Sequence, residues 1–374
     1  MVKINNINFN NFRNFTNYKI SFDHKLNVFV GENGCGKTNI LEGLSLIAKG
    51  RGIRNTNLFN LIKKNQNNFL IKSNLEIQNN EFEVKIFTEN KNDKLKKIIK
   101  INDDLSKDSL KFLNQSISFL VFLPEMERLF QASPSYRRNF LDRLIFSSKN
   151  DYNKLINKYK KSMTERIKII QKNNFDENWL SHIEKDISSL GLEIYNSRYY
   201  QLDFLNNNLN NLQKDHKFQF NVELSMKDSF YNNELTYEEY LTKLKEYRAY
   251  DKQFGGTKIG PHKSDIIAKI NNDFEASLLS TGQQKTVVLM VLLAQCNYLI
   301  NFKNINPILL FDEIGSHLDS NNRKILLDMI NRFEIQFFLT GTDENLFSFI
   351  STNSNFYNIT EIWILNTLLT LLKY

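Results

Sequence analysis

The 374-residue chain has two cysteines, four prolines and no apolar run long enough to span a bilayer. Two thiols, Cys35 and Cys296, are too few for a disulfide framework, and a reducing compartment suits them. The longest apolar runs, 287–300 and 362–372, are shorter than the roughly 20 residues that a membrane-spanning helix needs. The N-terminus has no signal-peptide pattern, so we expect a cytoplasmic protein without a membrane partner.

Glycine and proline nearly disappear from the middle of the chain. Between Pro134 and Gly255 there is no proline and a single glycine, Gly191. Apolar residues within 152–170 recur every three or four positions, which is the stripe of an amphipathic helix. We therefore predict that residues 121–250 form an inserted all-helical lobe. The five histidines show no ligand spacing, so no structural metal site is expected.

Basic residues outnumber acidic residues. The formal net charge is +8, from 49 lysines and arginines against 41 aspartates and glutamates. An excess of this size favours a polyanionic partner such as nucleic acid or acidic lipid. Lysine-rich solvated faces explain it equally well, so charge alone leaves both interpretations open.

The stretch GENGCGKTN, residues 31–39, contains the phosphate-binding pattern G-x-x-x-x-G-K-T. Its glycines let successive backbone N–H groups point at phosphate oxygens, and the flanking patterns predict a strand before the loop and a helix after it. In this pattern Lys37 reaches the β- and γ-phosphates of ATP, and the Thr38 hydroxyl is a ligand for Mg²⁺. The predicted nucleotide contacts of the loop are Gly31, Glu32, Asn33, Gly34, Cys35, Gly36, Lys37, Thr38 and Asn39.

An acidic pair ends the apolar run ILLFDE, residues 308–313. Asp312 is placed to hold Mg²⁺, and Glu313 is placed as the base or orienter of the water that attacks the γ-phosphate. The alternative is an acidic pair that merely begins a helix after a strand. The order strand, helix, strand from 305 to 343 also predicts a βαβ unit and hence a parallel sheet.

The stretch LSTGQ, residues 279–283, is a close variant of the L-S-G-G-Q signature of ABC-type ATPases. Ser280 and the backbone N–H of Gly282, followed by Gln283, lie at a predicted helix N-terminus and make a second anion site. In the ABC architecture these groups close over the γ-phosphate that the loop of another subunit holds. The signature therefore predicts a shared nucleotide site.

Four further stretches carry a more specific resemblance. They are FRNFTNY (12–18), FLPEMERLFQASPSYRRNFLDRLIF (122–146), GTKIGPHKSDI (256–266) and SHLD (316–319). Together with the nucleotide motifs they resemble the RecF family of bacterial DNA repair and replication ATPases, which are related to the Rad50 and SMC heads. The resemblance covers nearly the whole chain, whereas residues 360–374 match no part of the family pattern.

The resemblance implies an α/β fold with an ABC-type, Rad50-head-like P-loop ATPase lobe, which has a mixed sheet and an antiparallel hairpin region. Residues 1–120 and 251–374 would form this head, and the helical residues 121–250 would form the second lobe. ATP and Mg²⁺ are the implied cofactors, hydrolysed slowly by an ATP-dependent, head-to-tail homodimer. The implied partners are gapped or single-strand/double-strand junction DNA and the proteins RecR and RecO, which help to load recombinase at gaps.

Three single residues extend the predicted site. The resemblance places Arg13 and Asp319 at the nucleotide, although an ion pair between Arg13 and a surface carboxylate is an equal alternative. Thr342 stands where ABC transporters usually carry a histidine, and threonine cannot accept a proton as histidine does, so we expect low turnover. Two other functions stay open: the ATPase subunit of a membrane transporter, and a non-hydrolysing, nucleotide-bound repair scaffold.

Several basic side chains have an ordinary structural interpretation beside a functional one. The run KLKKIIK, residues 94–100, contacts DNA backbone or is the solvated side of a strand. Arg137 and Arg138 are expected to pair with Asp142 within one helix. His262 is expected to stabilise a turn by hydrogen bonding rather than to act as a catalyst.

Overall fold

The structure, a computed structural model, describes residues 2–48, 50, 52–54, 56–91, 94–172, 176–215, 220–314, 319–350 and 354–359. The chain divides into two compact units, Met1–Glu127 with Val288–Tyr374, and Arg128–Val287. The predicted insertion at 121–250 falls mostly within the second unit, which continues through the GPHKSD and LSTGQ stretches. Residues 316–318 of the SHLD stretch and residues 360–374 lie outside the described residues.

The elements follow one another along the two units. The first unit begins with β1 (Val2–Phe12), β2 (Phe15–Ser21), β3 (Leu26–Val30), α1 (Lys37–Ser45), β4 (Leu70–Ile77), β5 (Asn80–Lys91), β6 (Lys94–Ile101), α2 (Lys107–Ser116) and β7 (Phe119–Phe122). The second unit contains α3 (Pro134–Ser148), α4 (Tyr152–Ile170), α5 (Glu177–Asp215), β8 (Val222–Lys227), α6 (Tyr237–Glu246), α7 (Arg248–Phe254), β9 (Asp265–Ile270) and β10 (Phe274–Glu275). The chain then continues through α8 (Thr281–Lys303), β11 (Ile308–Phe311), α9 (Ser320–Arg332), β12 (Phe337–Gly341) and β13 (Ser354–Asn358).

A parallel sheet with the strand order β13-β3-β12-β11-β7 lies in the first unit. Every residue of β3, β11 and β12 is buried, because both faces of the sheet are covered. This burial explains why the three strands appear in the sequence as unbroken apolar runs. The predicted parallel sheet is confirmed, and it brings the residues that follow β3, β11 and β12 to one edge, where ligands of such sheets bind.

An antiparallel sheet with the order β2-β1-β4-β5-β6 lies in the same unit. Buried and more exposed residues alternate along β4, as expected when one face of a sheet is covered. Gln78 and Asn79 connect β4 to β5 with φ angles of +53° and +65°, the two-residue turn whose twist matches the flanking strands. The predicted hairpin region and the α/β fold are thus confirmed, although parallel and antiparallel strands lie in separate sheets rather than in one mixed sheet.

The second unit is mainly helical, and α5 alone has 39 residues. The prediction that 121–250 is all helical was wrong, because β8 lies inside that range and pairs antiparallel with β9. The strand is short and forms an edge of a three-stranded sheet with the order β10-β9-β8. Six residues without glycine or proline give too short a period-two pattern to stand out between long helices.

Helix α8 is the one described helix that is long and apolar enough to cross a membrane by length and composition. Its 23 residues exceed the apolar run recognised in the sequence. However, 78% of its most apolar 18-residue window is buried inside the protein, and no residue from Val287 to Gln295 is exposed. Such burial is that of a core helix.

Candidate nucleotide-binding site

Residues 31–36 of the phosphate loop connect β3 to α1, and Lys37, Thr38 and Asn39 form the first turn of α1. Gly34 has a φ of +90° and Gly36, at the start of α1, a φ of +115°, which residues with a Cβ rarely adopt. A Cβ on Gly36 would lie 2.6 Å from the amide nitrogen of Asn14, whereas a Cβ on Gly34 would meet open space. The loop is therefore closed against the protein at Gly36 and open at Gly34, with Glu32 and Asn33 exposed beside it.

The side chain of Lys37, the first residue of α1, contacts the loop rather than solvent. Its side chain is mostly buried, and its ammonium donates hydrogen bonds to the carbonyl oxygens of Gly31 at 2.6 Å and Glu32 at 2.8 Å. The thiol of buried Cys35 lies 3.9 Å from the same nitrogen. An ammonium beside a glycine-rich loop at a helix N-terminus suits a phosphate chain, so the residues present fit ATP.

The two predicted metal ligands are brought together at the edge of the parallel sheet. The Thr38 hydroxyl donates to Oδ1 of Asp312 at 2.9 Å, and the Thr340 hydroxyl donates to the same oxygen at 2.9 Å. Burial raises the pKa of Asp312, while these two hydrogen bonds and the charge of Arg54 oppose the rise. A hydroxyl and a buried carboxylate are oxygen ligands of the kind that Mg²⁺ prefers, so the pair fits this ion.

Glu313 follows Asp312 in a left-handed backbone conformation, with a φ of +50°. This conformation is uncommon for a residue with a Cβ and persists only when neighbouring groups hold it. Here the Thr340 hydroxyl accepts a hydrogen bond from the Glu313 N–H at 2.7 Å. Thr340 therefore contacts both acids of the predicted site. Thr340 was not predicted from the sequence, whereas Thr342, the predicted residue, is exposed two positions later.

The turn between β1 and β2 contacts α1 through Arg13. Its guanidinium donates to both carboxylate oxygens of Glu42, at 2.8 and 2.9 Å, and also to the carbonyl of Asn60. Glu42 is fully buried in α1. The alternative of an ion pair is thus what the structure contains, although the carboxylate is buried rather than on the surface. Contact between Arg13 and a nucleotide stays a prediction.

Asn14, in the same turn, links two parts of the loop. Its amide nitrogen donates to the carbonyl of Cys35 at 3.0 Å, and its amide oxygen accepts from the side chain of Asn39 at 2.9 Å. These bonds fix the last residues of the loop and the first turn of α1. Asn14 was not among the predicted site residues, although it stands next to Arg13 in the FRNFTNY stretch.

The signature residues begin α8 in the second unit. The Ser280 hydroxyl accepts from the Gln283 N–H at 3.3 Å, and the Gln283 side chain accepts from the Ser280 N–H at 3.1 Å. This reciprocal pair is a capping box, which defines where the helix begins. Ser280 is exposed and Gly282 is half-buried, so the helix N-terminus is accessible from solvent.

Asp319 begins the helix that follows the acidic pair. Its carboxylate accepts from the Asn322 N–H at 2.8 Å and caps α9, and its side chain is exposed. An exposed cap at a helix N-terminus is a common structural role. Contacts of Asp319 and Thr342 with a nucleotide stay predictions.

The predicted ion pair within α3 was wrong. Arg137 forms two 2.7 Å hydrogen bonds with Asp265, which begins β9, and Arg138 donates to the carbonyl of Ser264 at 2.6 Å. Asp142 instead pairs with Arg198 of α5. Helical spacing suggested a local partner, but partners more than 100 residues away in the sequence provide the better geometry.

Two other basic side chains have structural partners. Lys97 of the KLKKIIK run donates to the carbonyls of Leu46, Ala48 and Gly50, beyond the C-terminal end of α1, so this lysine is not a solvated one. His262 contacts the carbonyl of Thr257 through Nε2 at 2.8 Å. A carbonyl only accepts, so Nε2 carries the proton, and burial lowers the pKa of His262 to about 4. The hydrogen-bonding role predicted for His262 is confirmed.

Nearly the whole chain is similar to proteins of one family. The family model described as the RecF/RecN/SMC N terminal domain matches residues 3–362. The DNA replication and repair protein RecF of Rickettsia conorii is 32% identical over 343 residues, which cover 91% of this chain and 94% of the relative. The RecF of Rickettsia akari is 32% identical over 345 residues, with the same coverage.

Solved structures agree in fold. The recombination mediator protein RecF-ATPrS in the RecFOR pathway has a TM-score of 0.82 at 24% identity, with 96% of each chain covered. The Smc head domain of Pyrococcus furiosus, bound to the C-terminal domain of ScpA, has a TM-score of 0.53 at 15% identity, with both chains fully covered. With the phosphate loop, the acidic pair and the signature in place, the chain belongs to the RecF family, within the RecF/RecN/SMC group of ATPases.

Proposed function

We propose that this protein is a weak ATPase of DNA repair and replication, whose head-to-tail homodimer forms with ATP and binds DNA. The observation that carries the proposal is the cluster of Thr38, Asp312, Glu313 and Thr340 beside the phosphate loop. A loop that only held a nucleotide would not need a left-handed glutamate fixed by a buried threonine. The cluster therefore favours hydrolysis over the alternative of a non-hydrolysing scaffold.

Each side chain of the cluster has a part in the proposed hydrolysis. The N–H groups of the loop and the ammonium of Lys37 bind the phosphate oxygens of ATP. Thr38 and Asp312 would hold Mg²⁺, which supplies positive charge at the phosphates when it is bound. Glu313 orients the attacking water and accepts its proton. Thr340 fixes the backbone from which the Glu313 side chain projects.

The signature completes the proposed site from a second copy of the chain. Ser280 and the N–H of Gly282 lie at an accessible helix N-terminus, whose partial positive charge suits a γ-phosphate held by the other copy. Gln283 keeps Ser280 in place through the capping box. In this proposal ATP joins the two copies and hydrolysis releases them, so the ATPase acts as a timer.

DNA is the proposed partner because the relatives at 32% identity are DNA replication and repair proteins and because this chain carries a net charge of +8. Gapped duplexes and single-strand/double-strand junctions are the proposed structures. RecR and RecO are the proposed protein partners in the loading of recombinase, since a similar solved structure is assigned to the RecFOR pathway.

The test is the molecular mass of the purified protein without nucleotide, with ADP and with ATP, each with and without a gapped duplex. Glu313→Gln keeps the size of the side chain and removes the proton acceptor, so we expect it to accumulate as an ATP-bound dimer on the gapped duplex. Lys37→Ala should stay monomeric with ATP. Mass and DNA binding that do not respond to ATP would instead support the nucleotide-bound scaffold.

A further inference from the structure

A cluster of aromatic side chains is exposed on the second unit. Tyr247 immediately precedes α7, Tyr250 and Phe254 lie on α7, and the Tyr250 and Phe254 rings are 4.3 Å apart between centroids. Phe254 is 63% exposed and Tyr250 is 39% exposed. The ammonium of Lys258 lies over both tyrosine rings, 4.9 Å from Tyr247 and 4.4 Å from Tyr250. We call these four residues the aromatic platform.

The platform rests on a buried ionic cluster that keeps it rigid. Directly after Tyr250, Asp251 is fully buried and accepts from Arg166 at 2.6 Å and from the backbone N–H of Lys258 at 2.9 Å. Arg166 also bonds Glu184, which accepts from Arg248 of α7. Buried hydrogen bonds and ion pairs thus hold both α7 and the loop that carries Lys258. The exposed rings of the platform need no rearrangement before they bind a ligand.

The charge around the platform is positive. Residues 243–263 contain six basic side chains and two acidic ones, namely Lys243, Lys245, Arg248, Lys252, Lys258 and Lys263 against Glu246 and Asp251. Both acids are already in ion pairs, Asp251 with Arg166 and Glu246 with Lys243. Among the described residues, neither the ammonium of Lys252 nor that of Lys258 forms an ion pair with a carboxylate.

We infer that the aromatic platform binds single-stranded DNA, with a base stacked on Phe254 and a phosphate contacted by Lys258. Exposed aromatic faces with lysines beside them are the means by which proteins bind unpaired bases without sequence preference. Paired bases in a duplex present no free face to such a ring. A Cβ on Gly256 would meet nothing within 4 Å, so a strand can approach the backbone there.

This inference rests on the proposed DNA-binding function. It assigns the platform as the surface that contacts the single-stranded side of a junction. The test is fluorescence anisotropy of a labelled oligo(dT) strand titrated with the full-length protein in the absence of nucleotide. A blunt duplex of equal length is titrated in parallel. Phe254→Ala should weaken binding to the single strand about tenfold, because a stacked base is lost. Phe254→Tyr should retain the wild-type affinity.

Matched variants separate this contact from general effects. Phe302→Ala removes a phenylalanine of similar exposure, 61%, outside the platform and should leave the affinity unchanged. Lys258→Gln should weaken binding and make it less dependent on salt, because one phosphate contact is lost. Equal affinities of wild type and Phe254→Ala for the single strand would overturn the inference, and so would an equal loss for single strand and duplex.

The outcome is independent of the ATP-dependent dimer. If mass measurements show the dimer while Phe254→Ala binds oligo(dT) normally, only the platform assignment fails. If no dimer forms while Phe254→Ala loses single-strand binding, the platform stands and the proposed ATP gating fails.

Discussion

Two buried aspartates, one in each unit, have different partners. Asp251 in the second unit is fully buried and faces the guanidinium of Arg166, which is itself fully buried. Asp312 in the first unit is 4% exposed, and its hydrogen bonds come from the hydroxyls of Thr38 and Thr340. Among the described residues, Asp312 forms no ion pair.

The difference separates a carboxylate whose charge is compensated within the fold from one whose charge is left for the proposed cation. A buried carboxylate is stable when an opposite charge and hydrogen bonds compensate for lost hydration. The chain supplies that compensation in full for Asp251. Asp312 accepts hydrogen bonds from neutral hydroxyls, and these bonds and the charge of Arg54 do not offset burial, so its pKa is raised. A bound cation would complete the compensation. Arg166→Met removes the cation beside Asp251, Asp312→Asn removes the charge of Asp312, and Thr340→Val removes one of its hydroxyl donors.

The largest expected effect is on stability, from Arg166→Met. The variant leaves Asp251 buried without its cation, and Glu184 with Arg248 alone. Removal of one partner from a buried ion pair lowers the free energy of unfolding by about 3–5 kcal/mol. Urea unfolding followed by circular dichroism measures the loss.

The control for Arg166→Met is Lys160→Met, which changes an exposed cation of the same helix. We expect it to alter the unfolding free energy by no more than about 0.5 kcal/mol. If the free energy of unfolding falls by similar amounts in the two variants, the ionic cluster does not stabilise the second unit.

The second expected effect is on activity, from Asp312→Asn. Asparagine keeps the shape and the hydrogen-bonding oxygen but removes the charge that would hold Mg²⁺. We expect ATP hydrolysis to fall about 100-fold, as when a charge-stabilising group is lost from an active site. Asp343→Asn changes an exposed aspartate two residues after the end of β12, and it should hydrolyse ATP at the wild-type rate. Phosphate release at saturating ATP and Mg²⁺ is the measurement.

The same variant tests the sign of the pKa shift. Burial raises the pKa of Asp312 in the folded state above its ordinary 3.8, so the folded protein binds this proton more tightly than the unfolded chain. Ionisation of Asp312 therefore lowers stability as the pH rises above 3.8. Without Mg²⁺, Asp312→Asn should be at least as stable as wild type at pH 7, and its advantage should shrink toward pH 4. A variant clearly less stable at pH 7 would contradict the comparison.

Local patterns in the sequence predicted the parts of the site that lie within one element. The phosphate loop, the acidic pair and the signature are each contiguous, and the buried strands appear as apolar runs. Contacts between distant residues were not predictable in this way. Arg137 was assigned to Asp142, five residues later, but its partner is Asp265. No periodicity within α3 indicates which strand lies opposite it.

Thr340 illustrates the same limit within the site itself. Phe311 of β11 pairs with Leu339 of β12, so the next residues, Asp312 and Thr340, are neighbours across the sheet. The sequence predicted both strands but not their register, and a shift of one residue would exchange the roles of neighbouring side chains. With the register known, Thr340 is the threonine that contacts the acidic pair, and Thr342 is exposed.

The smallest expected effect comes from Thr340→Val, compared with Thr342→Val. Valine matches the shape of threonine, but it leaves Asp312 with one hydroxyl donor and the Glu313 N–H without its acceptor. Groups that orient ligands of a metal or a catalytic residue typically contribute 10- to 100-fold, so we expect hydrolysis to fall about tenfold. Because the side-chain hydrogen bonds of Thr340 go to Asp312 and Glu313 and not to the loop or Lys37 among the described residues, the affinity for ATP should stay within about twofold, a difference below 0.5 kcal/mol. Thr342→Val should leave both quantities unchanged. If instead Thr342→Val slows hydrolysis more than Thr340→Val, the histidine position of ABC transporters is the functional one here, and the buried threonine only holds the sheet edge.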